Sequence, residues 1–554
     1  MRELLLRLSA YRLLTVELIL ASLFVNLLSL AASIYVIQIF NRYISYGIDA
    51  TLFTLTTGVC IALFFEFSFQ RVRLNLAELV GKERNQQLIS STFNNLTRAK
   101  ASALQRLTFF QRQEIIQSPE IIAEAYCAAN LTTILDLPFI ALFLIALFFI
   151  SPLLGLITVF FIIGFFIFSI INQRQLRNNL STLNELSNKT KNISHVINQD
   201  IDTIRLFEQN QSTRNLFEQK SKDLQVIKAK IASLQNLTQT IMKSTQALLS
   251  IAIYATGANL AVHGELDMGM LIGANILAMR TLSPITRFAQ LGEIFAKAEQ
   301  AIERLQHFAL LETERDGGSA LTNYSGSIVF KDVALTYPNA HTPVFESLNL
   351  DIPAGTVLVV TGGNSSGKTT LARLIAGLLE PTRGQVLVDG LVLQQLAPNW
   401  WRSQLCYLPQ NANFLPGTIR DNLLNTNTEL NDTQLNALIA AAEFADFIDK
   451  SPDGLDTVIT NNGDQLTFGQ RRRFALARAL ANYGKLVLFD EPTEGLDQKG
   501  CHAIYTLLIN LSREGRTLIV FSQDPQIIQN APIILDLNSK PIPRLIHNKP
   551  PSKP

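Results

Sequence analysis

The apolar positions of this chain fall into six blocks before residue 290 and into short alternating runs after it. Leu18 to Phe40 is 23 residues without a charge, Ala50 to Phe65 is 16, Leu153 to Asn172 is 20 and Thr245 to Val262 is 18. Leu137 to Ile150 adds 14, or 20 when Leu131 opens the run and Asp136 is tolerated. A helix needs about 20 mostly apolar residues to cross about 30 Å of hydrocarbon. The pattern predicts six spans, at 16–40, 49–70, 131–150, 153–172, 244–263 and 268–289. The first run is longer than the core of a signal peptide and no small-residue cleavage site follows it.

Charge orients these spans. Residues 71–112 hold eight Lys and Arg, and residues 174–230 hold ten, whereas loops 41–49, 151–152 and 263–267 share only Arg42. The basic segments are expected on the cytoplasmic side, with both termini. Each basic segment has helical patterning and almost no Pro or Gly, enough for a helical hairpin reaching about 40 Å below the bilayer. Arg280 lies inside the sixth span. Two readings stay open: a functional intramembrane charge, or a residue that snorkels or pairs with Asp136 or Glu66.

Composition narrows the class. Only 17% of the 554 residues are charged, against about 25% in soluble domains. Net charge is +2, so no nucleic-acid partner is expected. Cys60, Cys127, Cys406 and Cys501 form no CxxC pair, and isolated reduced thiols are expected. His263, His307 and His341 stand alone as surface or loop residues. Residues 312–326 are rich in Gly, Ser and charge and belong to a linker, 306–326; short strands and helices follow.

The strand-like Thr356–Thr361 leads into Gly362, Gly363, Asn364, Ser365, Ser366, Gly367, Lys368, Thr369 and Thr370, and then a helix. This is GxxxxGK[ST] in strand–loop–helix context, in which backbone N–H groups wrap a phosphate chain. Lys368 is expected to reach the β- and γ-phosphates, and Thr369 to hold Mg²⁺. The apolar Leu486–Phe489 ends in Asp490, expected to orient Mg²⁺, and Glu491, expected to be the general base for in-line phosphoryl transfer. ATP and Mg²⁺ are the implied cofactors.

Residues 327–530 resemble the nucleotide-binding domain of ATP-binding cassette (ABC) transporters. The resemblance implies an adenine-stacking role for Tyr337 in LTYPN. Gln410 in YLPQN would touch Mg²⁺ and the lytic water. Leu466, Thr467, Phe468, Gly469 and Gln470 stand for the LSGGQ signature, Asp497 in Gly495-Leu-Asp for the D-loop, and Gln523 for the switch His. Head-to-tail dimers are implied, with ATP between one chain's phosphate loop and the other's signature. The membrane half resembles the type I exporter fold, and segments 35–52, 134–156 and 263–285 resemble the inner-membrane ATPases of bacterial type I secretion systems. The implied fold is a polytopic α-helical membrane domain, six transmembrane helices with long cytoplasmic helical extensions, followed by an α/β P-loop ABC domain. The expected ranges are 1–305, 327–545 and a Pro-rich tail, 546–554.

The implied function is ATP-driven export of an unfolded polypeptide, such as an RTX toxin, adhesin, protease or bacteriocin, across the bacterial inner membrane. A periplasmic adaptor and an outer-membrane channel would be partners. Many members of that family carry an N-terminal peptidase-like domain; about 15 residues precede the first span here, and none is expected. Alternatives are a lipid or small-molecule exporter, a degenerate half of a heterodimer, and a non-transporting regulator. Five positions depart from the family pattern: Asn364 and Ser365 replace Ser-Gly, Thr467 replaces Ser but keeps a hydroxyl, Phe468 replaces Gly and Gln523 replaces His. Slow hydrolysis is the expected consequence. A homodimer is favoured because Lys368 and Glu491 persist.

Overall fold

A computed structural model describes residues 2–199, 201–208, 210–337 and 340–548. The chain divides into two compact units: Met1–Arg98 with Arg106–Leu311, and Ala99–Gln105 with Glu312–Pro554.

The first unit is helical. Among the described residues, six helices are long and apolar enough to cross a membrane: Arg12–Tyr46, Asp49–Arg98, Ala128–Ile150, Pro152–Asn198, Gln211–Val262 and Met268–Gln290. Three of them continue far beyond their apolar stretches without a break, so that Asp49–Arg98 alone is 50 residues, about 75 Å at 1.5 Å per residue. The helices Pro152–Gln199 and Asn210–Val262 pack along one another. Glycines allow a close helix crossing in this unit. A Cβ built on Gly269 would run into the Asn41 side chain, and one on Gly273 into Ile37. Small residues four apart bring helix backbones together where lipid supplies no hydrophobic drive.

Buried polar contacts join some of these helices. Arg73 Nη1 donates to Asp136 Oδ1 at 2.6 Å, and Asn26 Nδ2 donates to the same oxygen at 3.0 Å. Arg73 is 5% exposed. Asp136 is therefore engaged by Arg73 and Asn26 and is not the partner of Arg280, which is half-buried. The short N-terminal helix Arg2–Ala10 is held by a second knot. Arg7 is fully buried, reaches Glu3 at 3.3 Å and Asn85 at 2.7 Å, and lies 5.0 Å over the Tyr126 ring. Arg84 closes the knot on Glu3 at 3.1 Å.

The second unit holds two main sheets. A four-stranded antiparallel sheet runs Phe345–Ile352, Ile328–Leu335, Arg383–Val388, Leu391–Val392. A six-stranded sheet runs Arg544–His547, Ile533–Asp536, Val357–Thr361, Thr517–Phe521, Leu486–Asp490, Leu405–Leu408, parallel except at its first strand. Leu486–Asp490 is buried on both faces, as a continuous apolar run in a parallel sheet should be. Residues 99–105 group with this unit although they lie inside the range 1–305. Ala99 bridges Thr313, Lys100 N donates to Glu312 O at 2.9 Å, and Lys100 Nζ pairs with Glu312 and Glu380. The helix Gly292–Ala309 takes the first residues of the expected linker. The edge strand Arg544–His547 crosses the expected boundary at 545 because its backbone pairs with Ile533–Asp536. Residues 549–554 of the Pro-rich tail lie outside the described residues.

Breaking the buried membrane-unit ion pair leaves an unpaired charge, which costs about 3–5 kcal/mol. Asp136→Ala should lower thermal stability in detergent accordingly. The double change Arg73→Met with Asp136→Leu should recover most of the loss, because neither charge is then stranded.

Candidate nucleotide site

Three parallel strands end together. Phe521 pairs with Val360 on one side and Asp490 on the other, so Thr361, Asp490 and Ser522 emerge at one edge. The carboxyl edge of a parallel sheet is where ligands bind in such folds. The strand Val357–Thr361 passes through Gly362–Gly367 into the helix Lys368–Ile375, whose open N–H groups face the loop. Gly367 has φ +107°, and a Cβ there would lie 2.5 Å from Val344 Cγ1. Ser365 takes φ +62°. That left-handed conformation costs an L-residue about 1–2 kcal/mol, so the replacement of the family's Gly here keeps the loop shape at a conformational cost.

The side chains converge on the loop. Lys368 Nζ donates to Gly362 O at 2.7 Å and lies 3.2 Å from Glu491 Oε1. Thr369 Oγ1 donates to Asp490 Oδ2 at 2.7 Å. Asp490 is fully buried, and its Oδ1 has no hydrogen-bond partner. Burial, the largest cause, raises its carboxyl above the ordinary range, and the adjacent Glu491 adds to the shift; the Thr369 hydroxyl, Arg472 and Lys368 oppose it. A buried carboxylate oxygen without a partner beside a hydroxyl is the hard oxygen donor set that Mg²⁺ takes, with water completing it. Thr369 and Asp490 therefore fit that ion.

Glu491 stands at φ +48°, with its N–H on Phe521 O at 2.8 Å. Its Oε2 accepts from Gln523 N at 3.3 Å. Gln523 Nε2 donates to Gly362 O at 3.0 Å and approaches Asn364 Oδ1 at 3.4 Å. Two positions that depart from the family pattern thus face each other across the loop. Tyr337 Oη meets Thr370 Oγ1 at 3.1 Å. Gly363 N donates to Asn538 at 2.8 Å and Ser366 Oγ is buried without a partner. Gln410 is not joined to Thr369 or Asp490. Its amide donates to Glu494 Oε2 at 3.1 Å, and its metal role lacks a direct contact here.

The signature residues form a separate cluster. Leu466 is buried. Thr467 caps the helix Phe468–Leu480 by accepting from Gln470 N, and Gln470 Oε1 accepts from Thr467 N at 2.9 Å. Both polar signature side chains are thus engaged in a capping box, although the Thr467 hydroxyl proton stays available. Phe468 is 54% exposed, and a Cβ on Gly495, which has φ +72°, would run into its ring. Gly469 lies near Gly495 O, 3.7 Å from a Cβ built there. Asp497 caps the helix Gln498–Arg513 and pairs with Arg473 at 2.9 Å. Its hydrogen bonds stay within this cluster.

One functional side chain escaped the sequence reading. Arg472 is 3% exposed and donates to Pro409 O at 2.6 Å, to Gln410 O at 2.8 Å, and to the carbonyls of Asp490 and Glu491. Burial, the dominant cause, lowers its pKa, and Glu494, Asp490 and Glu491 oppose the shift. The guanidinium stays charged. It ties the signature helix to both the Gln410 loop and the acidic strand end. The run RRR at 471–473 was the available signal, but sequence does not distinguish its buried member from Arg471, which pairs with Asp464 at 2.7 Å.

Arg472→Ala would remove the charged donor from four backbone carbonyls, that of Asp490 buried and the others partly so. Hydrogen bonds to charged groups are worth about 1.5–3 kcal/mol, so the turnover rate should fall about 10–100-fold while the KM for ATP changes by less than threefold. A steady-state titration of ATP against rate measures both.

Comparison with known proteins agrees with this geometry. The ABC transporter family model matches residues 345–494, and the ABC transporter transmembrane region matches residues 15–285. The leukotoxin export ATP-binding protein of Aggregatibacter actinomycetemcomitans is 26% identical over 529 residues, covering 95% of this chain and 74% of its own. The alpha-hemolysin translocation ATP-binding protein of Escherichia coli is 27% identical over the same length and shares. A bacterial Atm1-family ABC exporter, solved with ATP bound, has the same fold, with TM-score 0.80 at 20% identity over 95% of this chain and 94% of that one. One transmembrane region and one nucleotide-binding domain on a single multi-pass chain, both matched, place the protein in the ABC transporter family, as an ATP-hydrolysing half-transporter of the exporter type.

Proposed function

We propose that the chain exports an unfolded polypeptide across a bacterial inner membrane as part of a type I secretion system. The observation that carries this reading is the similarity over 95% of the chain to two proteins named for leukotoxin export and alpha-hemolysin translocation. Both termini and the nucleotide domain would lie in the cytoplasm, and an adaptor and an outer-membrane channel would continue the path. Basic segments 71–112 and 174–230 support that orientation.

The working unit would be a dimer. Its phosphate loop and acidic strand would meet the partner's signature, which explains why Leu466–Gln470 and Asp497 form a cluster of their own. Lys368 and the loop N–H groups would hold the phosphates, and Tyr337 the adenine. Thr369 and Asp490 would hold Mg²⁺, which neutralises phosphate charge. Glu491, aimed by its φ and by Gln523 N, would accept a proton from the attacking water. Gln523 would donate to the γ-phosphate without carrying charge. Closing two such sites favours the closed membrane unit to the extent that nucleotide binds the closed state more tightly.

A second reading, a degenerate half of a heterodimer, is favoured by Phe468 seated on Gly495. One experiment separates the two. The purified chain alone should hydrolyse ATP, Glu491→Gln should abolish turnover at least 10²-fold while nucleotide still binds, and Phe468→Gly should raise the rate. A chain inert alone but active once a second transporter subunit is added would overturn the homodimer. Export of a lipid or drug in vesicles, with no response to unfolded protein, would overturn the substrate class.

A further inference from the structure

Gln523 reaches the phosphate loop through two contacts, its N–H on Glu491 Oε2 at 3.3 Å and its amide on Gly362 O at 3.0 Å. Its side chain is exposed, so its aim is set by the residues on either side. Ser522 is fully buried and donates its N–H to Val360 O at 3.0 Å. Asp524 opens the helix Pro525–Gln529, with Pro at the first helical position.

Asp524 makes more contacts than a helix start requires. Its N–H donates to Ser522 Oγ at 3.0 Å, and its Oδ1 accepts from Gln526 N at 2.9 Å. These two bonds are local; they shape the turn without fixing where the turn sits. Oδ2 reaches out of the segment and accepts from Tyr505 Oη at 2.7 Å. The Thr493 hydroxyl also hydrogen-bonds the carboxylate. Tyr505 stands eight residues after Asp497, on the helix Gln498–Arg513, and Thr493 two residues after Glu491. The Tyr505 ring packs against the apolar core of this unit, so its hydroxyl is a fixed point. Burial, the largest cause, raises the Asp524 carboxyl, but hydrogen bonds from Tyr505, Gln526 N, Thr493 and Ile527 N outweigh it and leave it below the ordinary range. Burial, and then Asp524, push the Tyr505 hydroxyl up. The pair is therefore a neutral hydroxyl on an ionised carboxylate, a charge-assisted bond stronger than one between neutral groups.

We propose that Tyr505 is a positioning residue for ATP hydrolysis: its hydroxyl fixes Asp524, and through Asp524 the contacts of Gln523 with Glu491 and Gly362. The inference rests on the reading of Glu491 as the base and Gln523 as the γ-phosphate donor, and adds what aims them. A neutral glutamine is not drawn to phosphate by charge, so its contribution depends on placement, and a misplacement of about 1 Å can cost about 10²-fold in rate.

The test uses the full chain in lipid nanodiscs, joined by the second transporter subunit where turnover needs one. Tyr505→Phe keeps the ring and removes one hydroxyl. Its kcat should fall about tenfold, with the KM for ATP unchanged. Asp524→Asn, which keeps a carbonyl acceptor for the hydroxyl, should retain most of the rate. Asp524→Ala should lose at least as much as Tyr505→Phe, and adding Tyr505→Phe to it should cost nothing further, because the hydroxyl acts through that carboxylate. Independently of turnover, amide hydrogen exchange across residues 521–527 should quicken in Tyr505→Phe while the helix Gln498–Arg513 keeps its protection. Wild-type kcat and exchange in Tyr505→Phe, with Glu491→Gln inert, would overturn the positioning role and leave the reading of the base standing. Losses that multiply in the double variant, or a raised KM at unchanged kcat, would overturn it as well. Full turnover by Glu491→Gln would remove the base, and this assignment with it.

Discussion

The Asp490 carboxylate is the constraint around which the cytoplasmic unit is arranged. It ends a strand buried on both faces, it is itself fully buried, and one of its oxygens has no partner. A carboxylate held this way is unfavourable unless it is protonated or given a cation. Thr369 occupies one oxygen, and Lys368 is committed to the loop carbonyls and Glu491. The remaining oxygen can be satisfied by a divalent ion arriving with nucleotide. The parallel register of three strands brings this oxygen and the start of the phosphate loop to the same edge.

Arg472 extends that edge outward. Its four carbonyl contacts span the Gln410 loop and the acidic strand end, and its helix begins at the signature. A rigid guanidinium holding two loops at once cannot follow one without moving the other. Glu494 is drawn into the same group through Gln410. Backbone carbonyls of the Gln410 loop and of the acidic strand end are thereby joined to the helix that begins at Phe468.

Legibility in the sequence followed the range of the interaction. The phosphate loop was readable because its function lies in consecutive backbone positions, and glycine spacing reports backbone directly. The apolar spans were readable because each satisfies its length requirement alone. Arg472 was not, since three adjacent arginines look identical until the helix turns one inward. The tie of residues 99–105 to Glu312, Thr313 and Glu380 was equally hidden, because it joins positions over 200 residues apart. Arg280 shows the converse error: Asp136 was a plausible partner by composition, but Arg73 reaches it at 2.6 Å and removes it from consideration.

The Phe468 position shows how a departure from family pattern can be locally consistent. A bulky ring where close backbone approach is expected would ordinarily argue for a broken site. Here the ring lies on the α-carbon face of Gly495, a residue already required to lack a side chain by its φ of +72°. The volume added at 468 is thus accommodated by space that the D-loop turn leaves open. The aromatic fixes the signature against the D-loop instead of leaving both free to adjust. The two then act as one body, so the cost of Phe468 stays within this cluster and leaves the chain's own phosphate loop intact.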